Sequence, residues 1–174
     1  MLNRLEPAKT VGSPNDKLMP RSAPRLVVDT NTVLRGLAKP NSTSGRTLAS
    51  IENGDALLLT SKRVIEEYRL ILFDPNILSR FPQLNPRAIE AALRRLIYLS
   101  ASFGTVRTRF EFPRDPKDEK FLALAIAGGA THLVTFDEDL LSLPNSHTDA
   151  AKRLRQRLPG LQIKLPADFL RNQE

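Results

Sequence analysis

Short apolar runs that end beside an acidic residue are the most regular feature of this chain. Residues 26–28 read Leu-Val-Val and stop at Asp29, and residues 132–135 read His-Leu-Val-Thr and are followed closely by Asp137. Residues 56–59 form a similar run, Ala-Leu-Leu-Leu. Nearly continuous apolar runs of this length are typical of strands buried on both faces of a parallel sheet. The pattern therefore predicts three buried strands, two of which lead to a carboxylate.

Between these runs, apolar positions recur at the spacing of amphipathic helices. One predicted helix is capped by Ser61 and ended by Pro75. Another begins at Pro86, and a nearly all-apolar helix begins near Pro116 and ends at Gly128. Alternating strands and helices predict an α/β fold, namely a three-layer α/β/α sandwich with a mostly parallel central sheet.

Three weaker signals complete the pattern. Residues 41–45, Asn-Ser-Thr-Ser-Gly, are interpreted as a loop, and residues 47–53 as a short helix. Residues 105–109 are interpreted as a weak strand. None of these segments carries a residue that we single out for chemistry, so they bear on the fold alone.

The chain has 174 residues, which is enough for one domain with a substantial core. Residues 1–24 hold four prolines and few large apolar residues, so we expect a flexible N-terminal tail before a single domain of residues 25–174. No run approaches the roughly 18 apolar residues of a membrane span, and the tail lacks the apolar segment of a secretory signal. We therefore expect a cytoplasmic protein with no membrane association.

Composition narrows the possible chemistry. The chain contains no Cys, which excludes a disulfide framework, a thiolate metal site and a cysteine nucleophile. It contains two His, so histidine-based catalysis and zinc chemistry are not expected. The net charge of +7 and the pI of 10.1 suit a partner rich in phosphate, but they equally describe an ordinary basic protein. If the protein is an enzyme, its carboxylates should carry the chemistry.

Four carboxylates are the candidates for that role. In open parallel sheets, ligands bind beyond the carboxyl ends of the strands, where Asp29 and Asp137 are predicted to lie. Glu67 falls at the edge of the buried face of its helix, and Asp118 falls in the first turn of the apolar helix. Each acid alone is explained by capping, by the helix dipole or by a solvated boundary position. Together, acids from separate elements would supply the oxygen ligands that Mg2+ and Mn2+ prefer, and Asp115 could approach the same site.

Two stretches that contain these acids, residues 27–31 and residues 61–72, resemble a known protein family. Residues 27–31, Val-Val-Asp-Thr-Asn, resemble the opening strand and the Asp-Thr-Asn signature of PIN domains. Residues 61–72, SKRVIEEYRLIL, resemble the family's helix with an acid just before a Leu or Tyr. That match assigns the second family acid to Glu67 rather than to Glu66.

The longest resemblance lies in the C-terminal half. Residues 115–141, DPKDEKFLALAIAGGATHLVTFDEDLL, resemble the family block in which a third acid, an Ala-rich helix and a fourth acid after a strand follow one another. Asp118 matches the third acid and Asp137 the fourth. Residues 165–170, LPADFL, resemble the ending of the branch that contains the toxins of toxin–antitoxin pairs, the VapC-like ribonucleases. Phe136 departs from the family, in which Gly is frequent at this position, and a ring there could change access to the site.

The resemblance implies a fold, a reaction and partners. It implies a PIN-like, Rossmann-like domain that uses Mg2+ or Mn2+ to cut single-stranded or structured RNA, forms a homodimer and is inhibited by a cognate antitoxin. Its catalytic and metal-binding residues would be Asp29, Glu67, Asp118 and Asp137. Their supporting residues would be Thr30, Asn31, Ser61, Asp115, Thr135 and Asp139.

Three functional hypotheses remain open on the sequence. The leading one is an endoribonuclease, with Arg35, Lys39, Arg46 and Lys62 as candidates for contacts with the RNA backbone, although each can equally be a solvated surface charge. The second is a PIN-like module that binds RNA or a partner without cutting. The third is a phosphatase that forms an aspartyl-phosphate, which usually needs a second Asp where this chain has Asn31.

Overall fold

The centre of the molecule is a sheet of five parallel strands. The computed structural model describes residues 23–171. Its strands are β1 Arg25–Val28, β2 Leu57–Thr60, β3 Ala101–Ser102, β4 His132–Val134 and β5 Gln162–Lys164. They are ordered β3-β2-β1-β4-β5, and every neighbouring pair is parallel. The flexible tail predicted for residues 1–24 falls almost wholly outside the described residues.

Helices connect the strands and flank the sheet, which gives the predicted α/β/α sandwich. Since parallel strands need a crossover between them, helices pack against the sheet as its covering layers. No helix within residues 23–171 is long and apolar enough to cross a bilayer. The helices are α1 Thr30–Ala38, α2 Thr43–Glu52, α3 Lys62–Leu72, α4 Pro75–Arg80, α5 Pro86–Leu99, α6 Glu119–Gly128, α7 Glu138–Ser142, α8 Asp149–Arg157 and α9 Pro166–Arg171.

The three strands predicted from apolar runs are present and form the middle of the core. The side chains of Val27, Leu59 and Leu133 are fully buried, as expected of strands covered on both faces. The helix predicted to begin near Pro116 also exists: a single 3-10 turn, Pro116–Asp118, leads into α6. Gly129 ends α6 in the left-handed conformation, with φ of 58°, which glycine adopts without steric cost.

The loop predicted at residues 41–45 is wrong in its second half, because α2 already begins at Thr43. Ser42 caps this helix: its hydroxyl accepts a hydrogen bond from the backbone N–H of Gly45 at 3.2 Å. Gly45 then sits where a Cβ would lie 2.0 Å from the carbonyl oxygen of Pro40. The serine and the glycine, which look like loop residues in the sequence, therefore serve as a cap and as a point of close backbone approach.

The weak strand predicted at residues 105–109 is also wrong. The edge strand is β3, which pairs Ala101 with Leu59 and Ser102 with Thr60. After β3 the chain leaves the sheet through Gly104, whose φ of 56° favours glycine. Residues 105–109 pair with no strand of the described sheet. Their alternating residue types reflect only that some side chains face the core and others face solvent.

The strand order places a crevice at the middle of the sheet. The chain passes from β1 to β2 on one side and reaches β4 on the other side of β1, so the direction of winding reverses between β1 and β4. Ligands bind at such a switch point in open α/β sheets. The backbone N–H of Asp29 donates to the carbonyl of Val134 at 3.1 Å, so the residues that follow the two strands lie side by side.

Candidate metal centre and adjoining groove

A cleft of about 670 Å3 opens over the carboxyl ends of β1 and β4. Its volume lies within the range of about 300–1,000 Å3 that is usual for ligand sites. We call it the acidic cleft, because no basic residue of the described chain lines it, whereas six acids do: Asp29, Glu67, Asp118, Asp137, Glu138 and Asp139. The fold therefore brings all four carboxylates singled out in the sequence into one concave surface.

Asp29 is held rigidly at the end of β1. Its Oδ1 accepts from the backbone N–H of Thr32 at 2.7 Å, which caps α1, and its Oδ2 accepts from the hydroxyl of Thr135 at 2.5 Å. Burial raises the pKa of Asp29, and the hydrogen bonds from Thr135 and Thr32 offset part of that rise. Thr135 also accepts from the backbone N–H of Asp137 at 2.9 Å. One threonine thus fixes the positions of the acids that follow two neighbouring strands.

Asp118 faces two other carboxylates. Oxygens of Asp115, Asp118 and Asp137 all lie within 4.8 Å of one another. Burial, together with the charges of Asp137 and Asp115, raises the pKa of Asp118 to about 7, against a smaller opposing effect of Lys120. The Oδ2 atom of Asp118 is buried and has no hydrogen-bond partner within the described residues. A carboxylate so placed is unsatisfied as long as nothing cationic binds beside it.

The residues present fit a hard divalent cation. The donors are all carboxylate oxygens, which suit Mg2+, Mn2+ and Ca2+ rather than softer metals. A cation would relieve the repulsion among Asp115, Asp118 and Asp137 and would give the buried Oδ2 of Asp118 a partner. The group of three contains Asp115, which sequence reasoning placed only in support, and it contains neither Asp29 nor Glu67.

Glu67 lines the acidic cleft but already has partners. Its Oε1 accepts from the hydroxyl of Thr30 at 2.6 Å, and its Oε2 forms a close ion pair with Lys120. Only 11% of the Lys120 side chain is exposed, so this pair is largely shielded from solvent. The ammonium group of Lys120 also donates to the backbone carbonyl of Lys117 and lies 5.1 Å from the ring centroid of Phe121. Sequence reasoning missed Lys120, whose role depends on how α6 packs against α3.

Tyr68 fixes the helix that carries Glu67. Its hydroxyl donates to the backbone carbonyl of Val28 at 2.5 Å, at the last residue of β1. Burial, followed by the charges of Asp29 and Glu67, raises the pKa of Tyr68, so the hydroxyl stays protonated and continues to donate. The position of Glu67 relative to Asp29 is therefore set by a hydrogen bond inside the core.

The remaining predicted supporting residues divide into two groups. Asn31 and Asp139 line the acidic cleft; Asn31 accepts from Nε of Arg35 at 3.3 Å, and Asp139 forms an ion pair with Arg114 at 2.5 Å. Ser61, in contrast, is buried at the start of α3, where its hydroxyl caps the helix by accepting from Val64 at 3.4 Å.

A second groove, of about 660 Å3, continues from the acidic cleft. The two share a wall made of Asn31, Leu34, Ile77 and Phe136. We call the second one the basic groove, because its charged lining residues are Arg35, Lys39 and Arg80, and no acid of the described chain lines it. Opposite charges thus lie on the two sides of one shared wall.

Two of the four basic residues named from the sequence reach this region. Arg35 and Lys39 line the basic groove, whereas Arg46 and Lys62 line neither the groove nor the acidic cleft. The ammonium group of Lys62 lies 3.9 Å from a carboxylate oxygen of Glu66, one turn further along α3.

Comparison with known proteins agrees with this geometry. A family model described as PIN domain matches residues 25–139, which includes β1 to β4 and all the acids discussed above. A protein of Methanocaldococcus jannaschii, described as uncharacterized, is 26% identical over 152 residues, which cover 84% of this chain and 89% of that protein. No solved structure matches the chain at a significant level. The family match and the acidic cleft together support a site that binds a divalent cation.

Proposed function

The chain belongs to the PIN-domain family, a family of nucleases, and on that premise we propose that it is a metal-dependent endoribonuclease that hydrolyses phosphodiester bonds in single-stranded RNA. The observation that carries the proposal is that Asp29, Asp118 and Asp137 line the acidic cleft, while oxygens of Asp115, Asp118 and Asp137 lie within 4.8 Å of one another. Such a set of oxygen donors is what a phosphodiester hydrolase that uses Mg2+ or Mn2+ requires.

In this proposal the carboxylates have distinct tasks. Asp118, Asp137 and Asp29 hold the divalent cation, and Asp115 completes the set from the turn before α6. A bound divalent cation stabilises negative charge on the phosphodiester and lowers the pKa of a water molecule. Thr135 keeps Asp29 in place through its 2.5 Å hydrogen bond, so Asp29 needs little reorganisation.

Glu67 has a different task from the three clustered acids. Since Thr30 and Lys120 already satisfy both of its oxygens, Glu67 serves in the metal-free protein as the counter-ion of Lys120. We propose that it becomes a further ligand when Lys120 moves away. Lys120 meanwhile supplies a positive charge in an otherwise acidic site, which reduces the repulsion between the carboxylates and an incoming phosphate.

The experiment that tests the proposal is cleavage of a mixed-sequence single-stranded RNA by the purified full chain in Mn2+, Mg2+ or EDTA. Asp29→Asn/Asp118→Asn is the inactive variant, and Asp55→Asn is the matched control. Asp55 is exposed and lies just before the amino end of β2, whereas the acidic cleft lies at the carboxyl ends of the strands. We expect cutting in Mn2+ or Mg2+ that is lost in EDTA and in the double variant and is unchanged in Asp55→Asn.

Other outcomes would identify a different function. Cleavage that persists in the double variant would contradict the assignment of the acids. Salt-sensitive RNA binding by well-folded protein that cuts in none of the metals would favour the alternative, a PIN-like module that binds RNA or a partner without cleavage. One observation favours this alternative: the ion pair with Lys120 keeps Glu67 from binding a metal in this structure. Comparing Mn2+, Mg2+ and EDTA therefore distinguishes the two functions.

The toxin role is a finer proposal that rests on the resemblance of residues 165–170 to one branch of the family. In that role the protein would form a homodimer and would be inhibited by a cognate antitoxin. Induced expression in a bacterial host should then arrest growth, and Asp29→Asn should abolish the arrest. Growth unaffected by the active protein would argue against a toxin while leaving the nuclease proposal intact.

A further inference from the structure

The shared wall between the acidic cleft and the basic groove carries an exposed stack of two side chains. The guanidinium carbon of Arg35 lies 4.3 Å from the centroid of the Phe136 ring, within the range of a cation–π contact. Nε of Arg35 also donates to Oδ1 of Asn31 at 3.3 Å, which fixes its orientation on α1. Phe136 precedes Asp137, so this stack lies immediately beside the proposed metal ligands.

The position of the stack favours contact with an unpaired base. Arg35 is exposed and Phe136 is half-buried, so the planar guanidinium covers the ring and itself faces the groove. Bases of single-stranded nucleic acid stack on aromatic rings and on arginine planes in this way. Bases inside a duplex are stacked on their neighbours and cannot take this place without being extruded.

The other charges of the groove suit the backbone of the same strand. Lys39 and Arg80 are exposed and line the groove beyond the stack. Neither they nor Arg35 form an ion pair with a carboxylate anywhere in residues 23–171. Three cations in a concave surface, with no acidic partner among the described residues, complement a phosphate backbone.

We propose that the basic groove is a binding site for the single strand next to the scissile phosphate, with one unpaired base stacked on Arg35 and Phe136 and with Lys39 and Arg80 on the adjoining phosphates. The inference rests on the proposed function, since it assumes that the scissile phosphate lies in the acidic cleft. It adds the reason for single-strand selectivity: the base nearest the cut must be free to stack.

The test measures binding without cleavage. The full chain is titrated in EDTA with a fluorescently labelled 12-nucleotide mixed-sequence RNA, free or annealed to its complement, at several salt concentrations. We expect tighter binding of the single strand than of the duplex. Phe136→Leu, which keeps an apolar side chain but removes the ring, should weaken single-strand binding about fivefold or more without changing its salt dependence. Phe136→Trp should retain the affinity.

The other variants distinguish the contribution of charge to RNA binding from the contribution of stacking. Lys39→Gln/Arg80→Gln should reduce the steepness of log Kd against log salt by about 1.4, because each phosphate contact to a single strand contributes about 0.7. Arg35→Lys keeps the charge but loses the planar group, so it should weaken binding and leave the slope unchanged. Arg87→Gln, an exposed position at the start of α5 that lines neither concavity, is the matched control and should behave as the wild type.

Two results would overturn the proposal: wild-type affinity in both Phe136→Leu and Arg35→Lys, or equal affinity of the wild type for single strand and duplex. Since Arg35 is exposed, loss of folding does not complicate its variant. The binding assay contains no metal, so it is independent of cleavage. Metal-dependent cutting with no effect of these variants on binding would leave the nuclease in place and remove only the stacking site.

Discussion

The acidic cleft and the basic groove are similar in size and share a wall, but they differ in how their charges are stabilised. In the acidic cleft, Asp118 is half-buried among other acids and has an oxygen with no partner in the described chain. In the basic groove, Lys39 and Arg80 are exposed, so water solvates them at little cost. The carboxylates of the cleft therefore need a bound cation to be satisfied. The cations of the groove are already solvated by water and can bind an anion without any such partner.

This difference predicts a division of labour. The cleft should govern the reaction and the metal dependence, and the groove should govern affinity for the strand. Since the shared wall of Asn31, Leu34, Ile77 and Phe136 separates them, a substitution on one side should leave the property of the other side largely unchanged.

The largest expected effect is that of Asp137→Asn on cleavage. A metal ion contributes several kcal/mol to stabilising a phosphodiester transition state, and each 1.4 kcal/mol is tenfold in rate, so the loss should be about a hundredfold or more. RNA binding in EDTA should be unchanged or slightly tighter, because a negative charge is removed beside the strand. The measurement pairs a cleavage rate in Mn2+ with a Kd in EDTA.

Asp55→Asn is the control for Asp137→Asn, since it removes an exposed carboxylate at the amino end of β2, away from the carboxyl ends that form the cleft. Equal losses of cleavage rate and of RNA affinity in Asp137→Asn would show that the two regions act as one site. That result would break the division of labour.

The parts of the fold that could be read from the sequence are those that depend on local pattern. The strand that leads to Asp29 and the strand that leads to Asp137 were readable because continuous apolar runs mark doubly covered strands. The sequence predicts the start of α2 wrongly because Ser42 and Gly45 have low helix preference in isolation. Ser42 occurs there because it caps the helix, and Gly45 because the backbone of Pro40 approaches it closely.

The sequence predicts Asp29, Asp118 and Asp137 from their positions at strand and helix ends and Glu67 from the edge of its helix's buried face, but it does not predict the partners of these acids. The ion pair of Glu67 with Lys120 and the stack of Arg35 on Phe136 join residues far apart in the chain. Each contact depends on the distance between packed elements, which no local pattern encodes. For the same reason the sequence predicts Asp115 only as a supporting residue, whereas the structure places it in the cluster of three.

The second prediction concerns stability and pH in EDTA. Asp118 has a pKa of about 7 in the folded protein against an ordinary value near 4 when unfolded, so the folded state binds its proton more tightly. Its contribution to stability is therefore fully present below about pH 4 and is lost as pH rises from about 4 to about 7. Asp118→Asn should leave Tm nearly unchanged at pH 4 and raise it at pH 8. Since Asp118 is only half-buried, we expect about 1–2 kcal/mol and hence about 2–8 °C.

Thermal unfolding at the two pH values, with Asp55→Asn as control, measures this difference. Saturating Mn2+ should reverse its sign at pH 8, because the wild type then gains binding energy that Asp118→Asn lacks. An Asp118→Asn protein that is less stable than the wild type at pH 8 in EDTA would mean that the carboxylate is already satisfied without a cation. The contrast between the cleft and the groove would then disappear.

The smallest predicted effect sharpens the comparison, because it concerns Lys120, a cation largely shielded from solvent beside the acids. Lys120→Met removes the ammonium group that pairs with Glu67 and that lowers the pKa of Asp118. The metal-free acids should then repel one another more strongly, and Glu67 should become available as a ligand. Both changes favour metal binding, so Mn2+ should bind about fivefold more tightly, which corresponds to roughly 1 kcal/mol.

Titration calorimetry measures this affinity, and Lys117→Met, an exposed neighbour outside the cleft, is the matched control. Weaker Mn2+ binding in Lys120→Met, with the control unchanged, would show instead that Lys120 holds Glu67 in the position that the metal requires.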